Sequence, residues 1–195
     1  DDGRLHLSET APHENPLVPN KKLRQIYTAM VEARLLDEHV AKLQRKSQAK
    51  HRLYSTFGQE SCRIATAIEL NSGDLLSDVQ VSATMSILFG AALSPLLRHI
   101  DVVISGKQPR TTMLTEEVIA RRQLPWIDNA GDRLKIALGS ALAFKTLKQS
   151  NLVVAYVHNA DLPKRSWKDV LTLAAKLNLP IIFVVLPEPD IKKSP

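Results

Sequence analysis

The stretch Leu-Val-Val-Ala-Tyr-Val-His-Asn-Ala-Asp at residues 152–161, with Leu-Pro-Ile-Ile-Phe-Val-Val-Leu-Pro-Glu-Pro at residues 179–189, decides the fold of this chain. Both stretches contain a short apolar run rich in β-branched residues, and the segment between them carries apolar residues at helical spacing. This order predicts two parallel strands joined by a crossover helix. Parallel sheets bind ligands at the carboxyl ends of their strands. We therefore expect candidate binding residues at His158-Asn159-Ala160 after the first strand and at Glu188 after the second.

The remaining segments complete the prediction of an α/β fold. A long helix is predicted from Asn20 to about residue 48, because apolar residues recur there at helical spacing. Further helices are predicted within 87–97, 115–123 and 134–148. Four strands are predicted, at 75–78, 102–105, 152–157 and 181–186. We expect residues 20–195 to form one domain with a mostly parallel sheet and helices on both faces, and the Pro-rich residues 1–19 to form an extended arm.

Composition limits the classes of function. The 195 residues can form one domain with a sizeable core, and no apolar run approaches the ~20 residues of a membrane span, so no membrane partner is expected. The net charge is +6, but the one basic cluster, at 42–52, lies at a helix end without aromatic residues, which argues against nucleic acid. The single cysteine, Cys62, favours a reducing, cytoplasmic compartment and a buried structural thiol.

Four segments carry a resemblance to a known family. They are 23–38, Tyr54–Ser61 with its Gly-Gln-Glu sequence, the helical segment that follows Gly131, and the two strands with the residues after them. Together they resemble the alpha subunit of the E1 component of thiamine-diphosphate-dependent 2-oxo acid dehydrogenases. The resemblance implies a thiamine-diphosphate-binding fold. It places Asn159 where the family has a metal-binding Asp, Glu188 where it has a metal-binding Asn, and His158 and Ala160 where it has two glycines. The positions that match the family's cofactor-binding site are His158, Asn159, Ala160 and Gly131.

The departures from the family pattern decide the functional hypothesis. The family has cationic and acid/base side chains in a Tyr-Arg-Gly-His-Gly-His segment, where this chain has Val-Gln-Val-Ser-Ala-Thr-Met at 79–85. His158 and Ala160 add side chains where glycine would let the backbone approach a diphosphate. We therefore expect a degenerate thiamine diphosphate and Mg²⁺ site with no bound cofactor and no assigned catalytic residue. The resemblance implies a structural or regulatory partner of an E1-beta-like subunit, or a homodimer.

Two alternatives remain open. Asn159 and Glu188 keep one amide and one carboxylate with their positions exchanged, so the chain could be a divergent active alpha subunit that uses both for Mg²⁺ in the oxidative decarboxylation of a 2-oxo acid. Alternatively, it binds another phosphorylated metabolite through His158, which is otherwise expected to fill space. Asp161 is predicted to be a solvated turn residue, and Trp167 is expected in the core or at a subunit interface.

Overall fold

A computed structural model describes residues 15, 17–46, 56–78, 83–90, 92–105, 122–125, 127, 129–158 and 161–187. Within these ranges the chain forms six helices and three strands, and the architecture is α/β. In chain order the elements are α1 (Asn20–Lys46), α2 (Glu60–Ala67), β1 (Leu75–Ser77), α3 (Ala83–Leu88), α4 (Leu93–Ile104), α5 (Ala130–Thr146), β2 (Val153–His158), α6 (Lys164–Lys176) and β3 (Ile181–Leu186).

The three described strands form one parallel sheet in the order β1-β2-β3. Val153 of β2 lies beside Leu75 of β1 on one side and beside Ile181 of β3 on the other. The central strand β2 is buried from Val153 to Val157, which explains why its sequence is continuously apolar rather than alternating. The strands predicted at 75–78, 152–157 and 181–186 are confirmed to within one residue at each end.

Helices cover both faces of the sheet, as the sequence predicts. Successive side chains of a strand point to opposite faces, so each strand contributes to two cores. The core under α2 and α3 contains Ala67, Leu76, Met85, Phe89, Val154, Tyr156, Val184 and Leu186. The core under α5 contains Leu134, Ala137, Ala141, Val153, Ala155 and Val157. The two fully buried alanines of α5 let this helix approach the sheet closely, and Trp167 of α6 packs edge-on to Phe183 beside it.

The predicted strand at 102–105 is wrong, because residues 102–104 belong to α4. Val102, Val103 and Ile104 are β-branched and give the segment the local composition of a strand. However, Leu96, Ile100 and Ile104 recur every four residues and are buried against α1. Burial of one helical face therefore outweighs the local preference for a strand.

Other predictions need smaller adjustments or remain untested. The helix predicted within 87–97 is divided into α3 and α4, and Gly90 between them has φ +89°, a left-handed conformation that favours glycine. The predicted arm 1–19 and the predicted helix 115–123 lie largely outside the described residues. Among the residues that the structure describes, no helix is both long and apolar enough to cross a membrane.

Candidate functional site

The carboxyl edge of the sheet brings together the ends of all three described strands. β1, β2 and β3 are parallel, and they end there at Ser77, His158 and Leu186. Helices α2 and α5 also begin at this edge, as the contacts of their first residues described below show. The edge is therefore the place where polar side chains from distant parts of the chain meet.

The first polar group at this edge is Gln59, directly before α2. Its Nε2 atom donates a hydrogen bond of 2.8 Å to the backbone oxygen of Pro187, which follows β3. Its Oε1 atom accepts a hydrogen bond of 3.0 Å from Nε of Arg63. Gln59 is fully buried, and both ends of its amide are used. Gln59 of the Gly-Gln-Glu sequence thus connects the start of α2 to the end of β3 through a hydrogen bond.

Arg63 continues this network into the interior. Its guanidinium donates to both carboxylate oxygens of Asp78, which directly follows β1, and it lies 5.0 Å from the ring centre of Tyr156. The exposed fractions of the Arg63 and Asp78 side chains are 0% and 3%. Burying an isolated charge costs free energy, and here each charged group offsets the desolvation cost of the other.

The loop before α2 is anchored to α1 by two further contacts. Asp37 of α1 is buried and accepts hydrogen bonds of 2.6 Å from both the backbone nitrogen and the hydroxyl of Thr56. Burial raises the pKa of the Asp37 carboxyl, and the Thr56 hydrogen bonds act in the opposite direction. Arg34 of α1 donates to Glu60 at 2.5 Å, and this hydrogen bond raises the pKa of Arg34. Together these contacts fix the loop that positions Gln59.

The second polar group lies after β2. The backbone nitrogen of His158 donates a hydrogen bond of 2.9 Å to Oδ2 of Asp161, and Arg133 of α5 reaches the same oxygen at 3.2 Å. Arg133 also donates to the backbone oxygen of Ile127 at 3.0 Å, and only 2% of its side chain is exposed. His158 and Asp161 are thus joined to each other and to a buried cation of α5.

Gly131 lies in the first turn of α5, close to this turn. The side chain of Asn129 caps the helix by accepting from the backbone nitrogen of Asp132 at 3.1 Å. A Cβ atom on Gly131 would lie 3.1 Å from the Asn129 side-chain oxygen and 3.7 Å from Leu162. Glycine therefore lets the Asn129 side chain and Leu162 approach the start of α5 closely.

The structure brings two of the predicted site residues, His158 and Gly131, to the same end of β2. His158 is half-buried and Gly131 is half-buried. The other predicted residues, Asn159, Ala160 and Glu188, lie outside the described residues. The prediction that they take part in binding is therefore neither supported nor opposed by their positions.

Sequence reasoning missed the charged side chains that organise the edge. Asp161 was expected to be solvated, and this expectation is wrong, because only 21% of its side chain is exposed and it pairs with Arg133. The useful signal was that Arg63 and Arg133 adjoin the apolar residues Ile64 and Leu134 on the core-facing sides of α2 and α5. A charged residue on a buried helix face indicates a partner of opposite charge.

The charged groups that the structure describes at this edge are paired with one another, and the expected metal ligands Asn159 and Glu188 lie outside the described residues. Proteins usually bind Mg²⁺ through one or two carboxylates together with phosphate and water oxygens, and here Asp78 and Asp161 are both engaged by buried arginines. No group of three or more His, Cys, Asp and Glu side chains suited to a metal occurs within the described part of the chain. The two buried guanidinium groups, which would suit a phosphate, are neutralised by carboxylates of the chain itself.

Comparisons with known proteins add no assignment. No model of a known protein family matches the sequence, and no curated protein matches it significantly.

Proposed function

We propose that this chain is an E1-alpha-like protein with a degenerate thiamine diphosphate site, which acts as a non-catalytic structural or regulatory partner of an E1-beta-like subunit. The observation that carries the proposal is the pairing of Arg63 with Asp78 and of Arg133 with Asp161 at the carboxyl edge of the sheet. A diphosphate and its metal ion need free cationic and anionic groups at this edge. In this chain the charged groups form intramolecular ion pairs instead.

The fold supports this assignment at the level of architecture. A parallel sheet with helices on both faces is the arrangement that the resemblance to E1 alpha subunits implies. The proposal extends this arrangement to a thiamine-diphosphate-binding fold. We also assign the chain to the cytoplasm, since its one cysteine, Cys62, is free and half-buried.

The proposed inactivity has a physical basis in the desolvation of charge. To ligate a metal, Asp161 would have to leave Arg133, whose side chain is almost completely buried. Such a rearrangement would leave the buried guanidinium of Arg133 without the carboxylate that neutralises its charge. The amide proton of His158 would lose its acceptor in the same step. Binding would have to compensate both losses.

The experiment is calorimetric titration of the purified chain with thiamine diphosphate, with and without Mg²⁺, alone and after addition of an E1-beta-like subunit. We expect no Mg²⁺-dependent heat in either form and a complex of defined stoichiometry with the beta-like subunit. Micromolar, Mg²⁺-dependent binding that is lost in Glu188→Ala would refute the proposal in favour of the active alpha subunit with Asn159 and Glu188 as ligands.

A third arm addresses the remaining alternative. Inorganic pyrophosphate is titrated without metal, and thermal unfolding is followed in parallel. If the chain is stabilised by pyrophosphate and this effect is lost in His158→Ala, the chain is a binding module for a phosphorylated metabolite. We expect no stabilisation, because the cations at this edge are already paired.

A further inference from the structure

We propose that the outward face of α1 is a self-association surface, on which two copies of the chain pack α1 against α1 in antiparallel orientation. The inference rests on α1 alone and does not depend on the state of the cofactor site.

The outward face of α1 is apolar where a surface helix is normally polar. The helix packs on the rest of the chain through Ala33, Leu36, Asp37 and Val40. On its other side, four apolar residues follow one another at intervals of four positions. They are Leu23, Tyr27, Val31 and Leu35, with exposed fractions of 38%, 69%, 38% and 60%. Side chains spaced by four are neighbours on a helix surface, so these residues form one continuous apolar stripe.

The charges along this face indicate that the occupant is a second copy. Arg24, Val31 and Glu38 are separated by seven residues, about two helical turns, so they lie almost on one line along the outward face. The cationic Arg24 lies at one end of this line, the apolar Val31 in the middle and the anionic Glu38 at the other end. Arg24 is exposed and Glu38 is half-exposed.

A two-fold axis through Val31 makes this pattern complementary to itself. In an antiparallel pair Val31 meets Val31 of the second copy, Tyr27 meets Leu35, and Arg24 meets Glu38. A parallel pair would instead bring Arg24 onto Arg24 and Glu38 onto Glu38. Isologous contacts of this kind are the commonest in soluble oligomers, and each contact occurs twice in the dimer. Tyrosine suits such a surface because its ring is apolar and its hydroxyl stays in water.

Charge exchange tests the orientation directly. We expect the unaltered chain to show concentration-dependent dimerisation in sedimentation velocity. Arg24→Glu and Glu38→Arg should each weaken dimerisation by roughly tenfold or more, because each places like charges in contact twice. An equimolar mixture of the two variants should dimerise about as tightly as the unaltered chain, since every altered position then faces an opposite charge. Circular dichroism confirms that both variants remain folded.

Crosslinking tests the register. Cys62→Ala removes the one cysteine of the chain, and Val31→Cys in that background should form a disulfide-linked dimer on mild oxidation. Arg45→Cys in the same background is the matched control. It lies on the same helix and is exposed, but two copies of this position would be about 40 Å apart in the antiparallel pair.

Three results would overturn the proposal. The first is a chain that remains monomeric at all concentrations. The second is a mixture of the charge variants that associates no better than either variant alone. The third is a monomer in which a cysteine at position 31 resists labelling by a soluble maleimide, because the face is then covered by another segment of the same chain.

Discussion

Arg63 and Asp78 form a buried ion pair that joins the middle of α2 to the end of β1. The guanidinium also contacts Gln59 and the ring of Tyr156, so one side chain connects α2 with β1, with β2 and, through Gln59, with the residue after β3. These contacts fix the loop before α2 against the carboxyl edge of the sheet. A substitution at Arg63 should therefore disturb both the loop and the sheet edge.

Removing one partner of this pair should destabilise the chain strongly. We expect Arg63→Met to lower the free energy of unfolding by about 3–5 kcal/mol, because Asp78 is left as an uncompensated buried charge. Combining Arg63→Met with Asp78→Leu should recover a large part of the loss. Urea denaturation monitored by circular dichroism measures both effects. Lys135→Ala is the control, since its pair with Asp132 is exposed and should contribute less than about 1 kcal/mol. Equal losses in Arg63→Met and Lys135→Ala would contradict this account.

The buried carboxyl of Asp37 should make stability depend on pH. Burial raises its pKa in the folded chain, so the folded state binds a proton more readily than the unfolded state. The contribution of Asp37 to stability is therefore fully present below the ordinary carboxyl pKa and is lost as the pH rises through the raised folded value. The difference in unfolding free energy between the unaltered chain and Asp37→Asn, measured by urea denaturation at several pH values, should shift in favour of Asp37→Asn as the pH rises. Two curves that run parallel at all pH values would rule out this role.

Tyr156 should ionise late in an alkaline titration. Burial raises the pKa of its phenol from 10.0 to about 12, although its hydrogen bond with Thr66 at 2.8 Å acts in the opposite direction. The folded chain favours the neutral phenol, so stability should fall as the pH rises from about 10 towards 12. The difference in absorbance near 295 nm between the unaltered chain and Tyr156→Phe, an ordinary probe of phenolate, isolates this group. A difference titration centred at the ordinary tyrosine value would show that the phenol is accessible to solvent.

Two glycines of α5 should respond oppositely to alanine. Gly139 has open space at its Cβ position, so Gly139→Ala should stabilise the helix by about 0.5–1 kcal/mol. At Gly131 the new methyl group would crowd the Asn129 cap, so Gly131→Ala should give no gain or a loss of up to about 1 kcal/mol. Thermal unfolding of the two variants provides the comparison, and equal stabilisation in both would show that the cap tolerates the methyl group.

The sequence predicted the long helix α1 and the strands β2 and β3 well, but it misassigned one short β-branched segment of α4. The apolar runs of β2 and β3 predicted both strands within one residue. In β2 the run reflects burial on both faces, whereas Ile182 and Val185 of β3 are exposed. The β-branched run at 102–104 was misassigned as a strand, because Ile104 continues a buried helical face with Leu96 and Ile100 that only the packing on α1 reveals. Similarly, His158 and Gly131 could be placed at one end of β2. The pairing of Arg133 with Asp161 could not, because no local pattern links residues from two different elements.

The parallel connectivity of the sheet has a consequence for the order of folding. Val153 pairs with Ile181, 28 residues later, but its other neighbour, Leu75, is 78 residues earlier. Closing the longer loop costs roughly 1 kcal/mol more in chain entropy. The β2-α6-β3 unit should therefore form before β1 docks, and the Arg63–Asp78 pair should be absent from the rate-limiting transition state if that state precedes docking. Substitutions at this pair would then accelerate unfolding and leave the refolding rate nearly unchanged.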